Sequence, residues 1–418
     1  MSFASSDVDV IVIGLGPSGM MATLTLLQRG YRVLAVDRGK AYMYRDQQIP
    51  YDVANGFGGA GLFSDGKLSF FPSASNLYRN LNKKELRCAY EQLSILLAKT
   101  GYTIPGWQNN WTLPRRQGVV SSRIKYYKTQ YFGRNDCTRF VSDVFEQIHN
   151  HIILEANVVA IEKNDDGTFC VTLDRLSSPL TSNGVVFATG KAGNIILSSL
   201  SNISLATHMR YEAGIRVETD AINFRPYALK QPDYKYIEDL TDNTQFRTFC
   251  CCKDGQVIES DYLRNISFNG SIMPYRTGRA NIGLTVRIEN EHNDIVDEIN
   301  GCITRKDKYV YAYTERYIPS KHFCYGPELD KILLDRIGLV IKSSESKYKT
   351  KIYGPEIEYC GLYPQFSWDT LKAGNNNIWI VGDLSAKYRG LIASLISGIY
   401  AANAIEREME KTNGRSHV

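Results

Sequence analysis

No stretch of this sequence is apolar for long enough to span a bilayer. The longest late run, Leu391 to Ala402, covers about a dozen residues where about twenty are needed. The amino terminus, MSFASSDVDV, carries acid and no apolar leader segment, so a cytoplasmic location is expected. Cysteine numbers nine in 418 residues, too few and too scattered for a disulfide framework, and no C-x-x-C occurs. No two cysteine pairs stand at zinc or iron–sulfur spacing, so no metal site is expected. His149 and His151 bracket a helix end without the acids or thiols of a metal site, and nothing around His322 and Cys324 marks a catalytic pair. An excess of one charge is also missing, the formal net charge being +5. Arg115–Arg116 and Lys342–Lys351 are local basic patches without the concentrated footprint of a nucleic-acid partner. Internal repeats and low-complexity linkers are absent too, which leaves a globular chain long enough for two or three domains.

The most informative stretch is residues 7–37, DVDVIVIGLGPSGMMATLTLLQRGYRVLAVD. Asp7 to Ile13 becomes a short β-branched run, as expected of a buried central strand. Gly14, Gly16 and Gly19 follow in the spacing G-x-G-x-x-G, then a helix to Arg29, a Gly30 stop and a second strand ending at Asp37. Gly14 permits the tight turn, Gly16 admits a pyrophosphate against the backbone, and Gly19 lets the helix approach the sheet. Pro17 suits the first helical turn, whose free N–H groups and positive dipole end favour phosphate. Asp37 can accept both hydroxyls of an adenosine ribose and disfavours a 2′-phosphate there. The motif predicts a dinucleotide site, and its glycines alone do not separate NAD from FAD.

Asn55 to Lys67 holds five glycines in thirteen positions, with Ser64, Asp65 and Lys67 among them. Such a composition weakens any regular element and suits a loop whose backbone passes close to a ligand. Helices are expected at Leu77–Lys99 and Thr138–Asn150, and strands at Ile152–Ile161, Thr168–Asp174 and Gly184–Ala188. The last strand empties into Thr189-Gly190, a second approach to the same nucleotide. From about 196 to 365 aromatic and β-branched strands dominate: Ile215–Glu218, Phe224–Leu229, Phe246–Cys252, Gln256–Glu259, Ile266–Gly270 and Asn281–Val286. Helical material is expected at His208–Ala213, Lys306–Ile318 and Leu329–Val340. Cys250 and Cys252 should share one side of a strand and Cys251 the other, as small buried or cavity-lining groups.

Near Trp368 the chain returns to the nucleotide domain. Asn377–Val381 reads as a strand, Gly382-Asp383 stands at its end, and Tyr388-Arg389-Gly390 precedes a helix, Leu391–Met409. An acid after a late strand, with a helix N-terminus beyond it, suits the length of FAD better than that of NAD. No second strand–G-x-G-x-x-G unit is present, so a dedicated NAD(P)H domain is not expected.

These motifs carry a resemblance. GLGPSG at 14–19, GFGGAGLFSDGKLSF at 56–70, VVFATGKAG at 185–193, FCCCKDGQVIE at 249–259, YGPEIEYCGLYP at 353–364 and VGDLSAKYRGLIASLISGIYAANAI at 381–405 resemble the FAD-dependent oxidoreductases with a glutathione-reductase-like FAD domain. More closely, they resemble poorly characterised bacterial flavoproteins labelled FAD-dependent dehydrogenases. Such proteins often read FCMCPGG where this chain reads FCCCKDG, and they tend to carry a glycine near Ala386. The resemblance implies that Gly14, Gly16 and Gly19 bind the pyrophosphate, Asp37 the ribose and Asp383 the far end of FAD, with Gly390, Leu391 and Ile392 beside the flavin. Pro17, Ser18, Arg38, Gly58, Gly59, Ser64, Gly66, Lys67, Val159, Thr189, Gly190 and Gly382 complete the expected cofactor contacts.

The expected fold class is α/β. A Rossmann-like FAD-binding domain is split between 1–195 and 366–418, around an inserted antiparallel-rich α+β substrate domain at 196–365. The expected activity is oxidation of a small organic substrate by hydride transfer to flavin N5, with oxygen or another acceptor restoring the flavin. Monooxygenation or reduction with transiently bound NAD(P)H is the first alternative, and a non-catalytic flavin sensor the second. Lys67 and Arg389 are the candidate catalytic residues, expected to form a positive rim at the flavin end; simple ion pairs, Lys67 to Asp65 and Arg389 to Asp383, are the competing roles.

Overall fold

The computed structural model describes residues 8–108, 122–224, 233, 235–273, 275–312, 324–341 and 349–412. The Arg115–Arg116 patch, His322 and much of the Lys342–Lys351, Phe224–Leu229 and Lys306–Ile318 segments lie outside them.

The first part of the chain builds the expected unit. β1 (Val8–Ile13) runs through the glycine turn into α1 (Pro17–Gln28) and β2 (Val33–Val36), with β1 and β2 parallel. α2 (Pro50–Ala54) precedes the glycine-rich loop, which leads to β3 (Lys67–Ser69). The long helical pattern resolves into α3 (Ser75–Asn80) and α4 (Lys83–Lys99), broken at Asn82, whose side chain caps α4 by accepting from Lys84 and Glu85 N–H. β4 (Ser122–Lys125), β5 (Thr129–Tyr131) and α5 (Arg134–Ile148) follow. Then come β6 (Ile152–Ile153), β7 (Val158–Lys163), β8 (Phe169–Leu173) and β9 (Leu180–Phe187).

The middle of the chain is antiparallel. It comprises β10 (Thr207–Asp220), β11 (Lys235–Asp239), β12 (Thr244–Lys253), β13 (Gly255–Tyr262), β14 (Asn265–Ile272) and β15 (Arg279–Glu289). After α6 (Asp294–Arg305), β16 (Tyr309–Ala312) and α7 (Pro327–Leu334) come β17 (Lys351–Tyr359) and β18 (Leu362–Pro364). The chain closes with β19 (Ile378–Ile380) and α8 (Leu391–Thr412).

Two large sheets result. The first, ordered β6-β2-β1-β9-β8-β7 with β19 also on β9, is parallel through β6, β2, β1, β9 and β19. Residues from the start, middle and end of the chain therefore share one carboxyl edge, which is where α/β sheets bind ligands. Helices α1, α4, α5 and α8 cover one face of it. The second sheet runs β16-β17-β10-β15-β12-β11-β4, with β18 on β10. One of its faces packs Phe246, Leu284, Val286 and Ile215 against α6 and α7, giving a separate core. Its other face is charged and turned toward the first sheet.

Three expectations change. His208–Ala213 belongs to the long strand β10 and not to a helix. Its Arg210 and Glu212 are buried and paired with each other, so the charges that break apolar alternation in the sequence lie inside the protein. Tyr309–Ala312 is strand, antiparallel to β17, where a helix was expected. Ser122–Lys125, inside the segment assigned to the first domain, pairs with β11 in the second sheet.

Candidate functional site

A cavity of about 1150 Å³ lies between the carboxyl edge of the parallel sheet and the charged face of the antiparallel one. Gly14, at φ +96, makes the turn off β1; a Cβ there would stand 2.5 Å from the Ala188 carbonyl oxygen. Gly16 caps α1 without a side-chain acceptor, and no acid sits in the helix's first turn. The N–H groups of that turn are thus free of side-chain partners beside a cavity lined by Gly14, Gly16, Pro17 and Ser18, an arrangement suited to an anion.

The glycine-rich loop lies directly on this turn. Gly58 N–H donates to the Leu15 carbonyl at 2.9 Å, and a Cβ on Gly59 would reach the Gly16 Cα at 2.7 Å. Arg45, which the sequence did not mark, fixes the loop from behind. Its guanidinium donates to the carbonyls of Asp52 (2.8 Å), Phe57 (2.7 Å), Val53 (3.2 Å) and Gly59 (2.9 Å). Burial pushes its pKa down to about 10. An arginine shortly before a glycine-rich loop was the only available signal, and it is a weak one.

At the end of β2, Asp37 accepts from Leu15 N–H at 2.7 Å and from Gly39 N–H at 2.8 Å. One carboxylate thus ties the glycine turn to the chain beyond β2, and each oxygen keeps a lone pair for a ligand. Arg38 donates to Asn55 Oδ1 at 2.7 Å, and Ala156, Asn157 and Val158 form the opposite wall. Val159 is 56% exposed and lies outside the cavity lining, because alternation along β7 turns it away from its neighbour Val158.

At the other end Asp383 follows β19. Tyr359 OH donates to it at 2.6 Å, and burial raises its pKa against the opposing pull of Arg389 and that hydrogen bond. Thr189, Gly190, Gly390 and Leu391 line the cavity nearby, as do Arg38, Gly59 and Ser64 farther along. Gly19, Gly58, Gly66, Gly382 and Ile392 stand behind the lining; Ile392, in the first turn of α8, is packed in the core.

Lys67 and Arg389 both line the cavity, and both are already paired. Lys67 Nζ is 2.7 Å from Asp65 and 3.4 Å from Asp233, and donates to the Cys251 carbonyl at 2.6 Å. Burial lowers its pKa, but Asp233 and then Asp65 outweigh that and hold it well above the ordinary lysine value. Arg389 stacks on Phe249 and Tyr359, 4.6 and 4.3 Å from the ring centres, and pairs with Glu358 at 3.0 Å and Glu212 at 3.3 Å. Asp383, the partner considered from sequence, is the more distant one at 3.8 Å.

Cys250 and Cys252 share a side as expected, but a bulge with φ +48 at Cys250 brings their sulfurs to 3.7 Å. The Asp65 carboxylate is 3.2 Å from the first and 3.9 Å from the second. These three groups are close enough to share a metal ion, yet the Lys67 ammonium already holds the same carboxylate oxygen. The hydrogen bond with Cys252, burial and the nearby Asp65 together keep the Cys250 thiol well above its usual range, opposing the thiolate a metal needs.

Among the described residues, no helix is long and apolar enough to cross a membrane. No family model matches the chain. An uncharacterized protein of Clostridium beijerinckii is 37% identical over 310 residues, 67% of this chain and 52% of that protein. The chain thus spans about half the length of the curated relative it matches. A flavoprotein/dehydrogenase from Cytophaga hutchinsonii aligns over 99% of this chain and 80% of its own, at 13% identity and TM-score 0.43. OTEMO in complex with FAD and NADP aligns over 45% of this chain and 26% of its own, at 17% identity and TM-score 0.25. Oxidized steroid monooxygenase bound to NADP covers 44% of this chain and 26% of its own, at 16% identity and TM-score 0.26. Likenesses this distant fix neither the activity nor the bound groups of this chain.

Proposed function

We propose that the protein is an FAD-dependent oxidoreductase acting on a small organic substrate. The observation that carries this reading is the convergence of three approaches on one cavity: the glycine turn with the α1 N-terminus, Asp37, and Asp383 beside the start of α8. The chain's own packing fits an extended dinucleotide, since Gly16 and Gly59 bring bare backbone together where phosphates need close approach. The α1 amides would hold the pyrophosphate, Asp37 the ribose, and Asp383 with Gly390 and Leu391 the ring end.

When bound, the flavin supplies a two-electron acceptor. The chain supplies position and charge. Arg389 is clamped between two aromatic faces, so its guanidinium is preorganised to orient a negative or polar substrate group. Lys67 holds Asp65 and Asp233 and so shapes the wall that carries Cys250.

Direct oxidation of substrate and NAD(P)H-driven reduction or monooxygenation share this site. The second reading gains from one feature, a cation-rich limb of the cavity that suits a phosphate. The test is Arg389→Met. FAD is expected to remain bound, while substrate- or NAD(P)H-driven flavin bleaching in anaerobic stopped flow slows by roughly tenfold, about 1.4 kcal/mol. A parental rate with FAD confirmed present removes Arg389 from the site. Bleaching by dithionite but by no metabolite or nicotinamide points to the non-catalytic sensor instead.

A further inference from the structure

The antiparallel sheet presents an unusual face to the cavity. Register places Arg123, Ile237, Arg247 and Thr285 in one row across β4, β11, β12 and β15. Two residues along one direction stand Lys125, Lys235 and Phe249; two along the other stand Asp239, Gln245, Arg287 and Glu212. Side chains two apart on a strand share a face, so Arg123, Lys125, Lys235, Arg247 and Arg287 point the same way, and all five line the cavity.

Their carboxylate partners are few. Asp239 is 2.7 Å from Arg123, and Glu212 is 2.9 Å from Arg287 while also serving Arg210 and Arg389. Among the described residues no carboxylate lies within ion-pair distance of Lys125, which donates to Ser75 Oγ at 2.6 Å, or of Lys235, which rests 4.9 Å over the Phe249 ring. Arg247, only 9% exposed, has Nε and Nη1 buried without a hydrogen-bond acceptor, its one acid being Glu212 at 3.9 Å. Leaving buried guanidinium donors unpaired is costly. A protein that keeps five cations together around Asp239 and the shared Glu212 carries a cost that a bound anion would remove.

We propose that this limb of the cavity binds a dianionic phosphate group carried by the molecule that reacts at the site, with Arg247, Lys235, Lys125 and Arg287 as its ligands. The proposal deepens the oxidoreductase reading and rests on it for the word "reacts"; the anion site itself does not. Burial lowers both lysine pKa values to about 8, with Arg79, Arg287 and Arg123 adding to this at Lys125, while Glu212 and Asp233 oppose it at Lys235. Each ammonium is therefore held at a cost to the free protein, as expected of groups kept for a ligand. Two sources carry the same chemistry, a phosphorylated substrate and the 2′-phosphate of a visiting NADPH.

The experiment is calorimetric titration of the purified chain, at fixed ionic strength, with sodium sulfate as the dianion probe and chloride as control. Flavin content is measured separately on the same sample. Saturable sulfate binding with a dissociation constant of about 1 mM or tighter is expected. Lys125→Gln with Lys235→Gln should weaken it by roughly tenfold or more, while raising the thermal midpoint because two unpaired charges leave. Lack of saturable binding, or parental binding in the double variant, overturns the proposal; the latter result would place the anion at the α1 turn. Displacement of sulfate by NADPH but not NADH supports the site and assigns it to the NADPH 2′-phosphate. Displacement by neither supports a phosphorylated substrate. Absence of flavin with sulfate binding intact would defeat the oxidoreductase reading alone.

Discussion

Replacing Asp37 separates the bracing that the structure shows from the ribose binding proposed for the same carboxylate. Asp37 is buried, 8% exposed, and accepts from the Leu15 and Gly39 N–H groups at 2.7 and 2.8 Å. Hydrogen bonds to a charged group contribute about 1.5–3 kcal/mol each, so Asp37→Ala removes roughly 3–6 kcal/mol. Because the residue lines the cavity, water can reach the exposed amides, which favours the lower end, about 3 kcal/mol. Asp37→Asn keeps one carbonyl acceptor and turns an NH₂ toward the other amide, so about half that loss is expected. Urea unfolding would show the midpoint falling in the order Asp, Asn, Ala with an unchanged slope. FAD retained after gel filtration should fall in the same order. A parental midpoint for the alanine variant refutes the bracing role. A lowered midpoint with parental FAD retention refutes the ribose role and leaves Asp37 only a brace.

Arg216 and Glu356 form a fully buried ion pair, with Asn281 and the Cys250 carbonyl as further acceptors for the guanidinium. Arg216→Met strands the carboxylate and should cost about 3–5 kcal/mol in urea unfolding, much of it recovered by adding Glu356→Leu; a neutral single variant would contradict this. Because the Cys250 thiol is held above its usual range and Cys88 is exposed, a thiol reagent near pH 8 should label Cys88 first, as read by peptide mass spectrometry. Fast labelling of Cys250, or loss of two thiols on mild oxidation, would mark a redox pair instead. Sulfate affinity should hold below about pH 8 and decline as pH rises, because Lys125 and Lys235, among Arg79, Arg123, Arg287, Arg389, Glu212 and Asp233, discharge from there upward. Without sulfate the sign reverses. A lysine lowered from 10.5 to about 8 destabilises the fold while charged, and that cost is relieved as pH rises from about 8 toward 10.5.

The unit of strand, glycine turn, helix and strand was legible because its signal is local. A strand, three glycines, a helix and an acid fall within residues 7–37, and each has a backbone reason to be there. The late strand, Asp383 and α8 were legible for the same reason. What escaped depends on register. The five cations facing the cavity come from four strands spread over residues 122–289, and only their pairing puts Arg247 beside Ile237 and Arg123. Buried charge misled the reading of β10, where Arg210, Glu212 and Arg216 look like solvent positions until their partners are known. Val159 shows how small such an error can be, since its neighbour Val158 lines the cavity. Lys67 and Arg389 do line the cavity, but their carboxylate partners Asp233, Glu212 and Glu358 lie far off in sequence.

The most direct measurement is the identity of what the cavity carries. The purified protein is precipitated with acid, the supernatant is separated by chromatography, and the flavin is quantified against the protein. Stoichiometric free FAD in the supernatant, with none on the polypeptide, is the predicted result, because Gly14, Gly16, Asp37 and Asp383 converge on one cavity and are proposed to hold the cofactor without a covalent link. A chain that carries no flavin and binds none when FAD is added, or one that holds NAD in its place, would contradict the account.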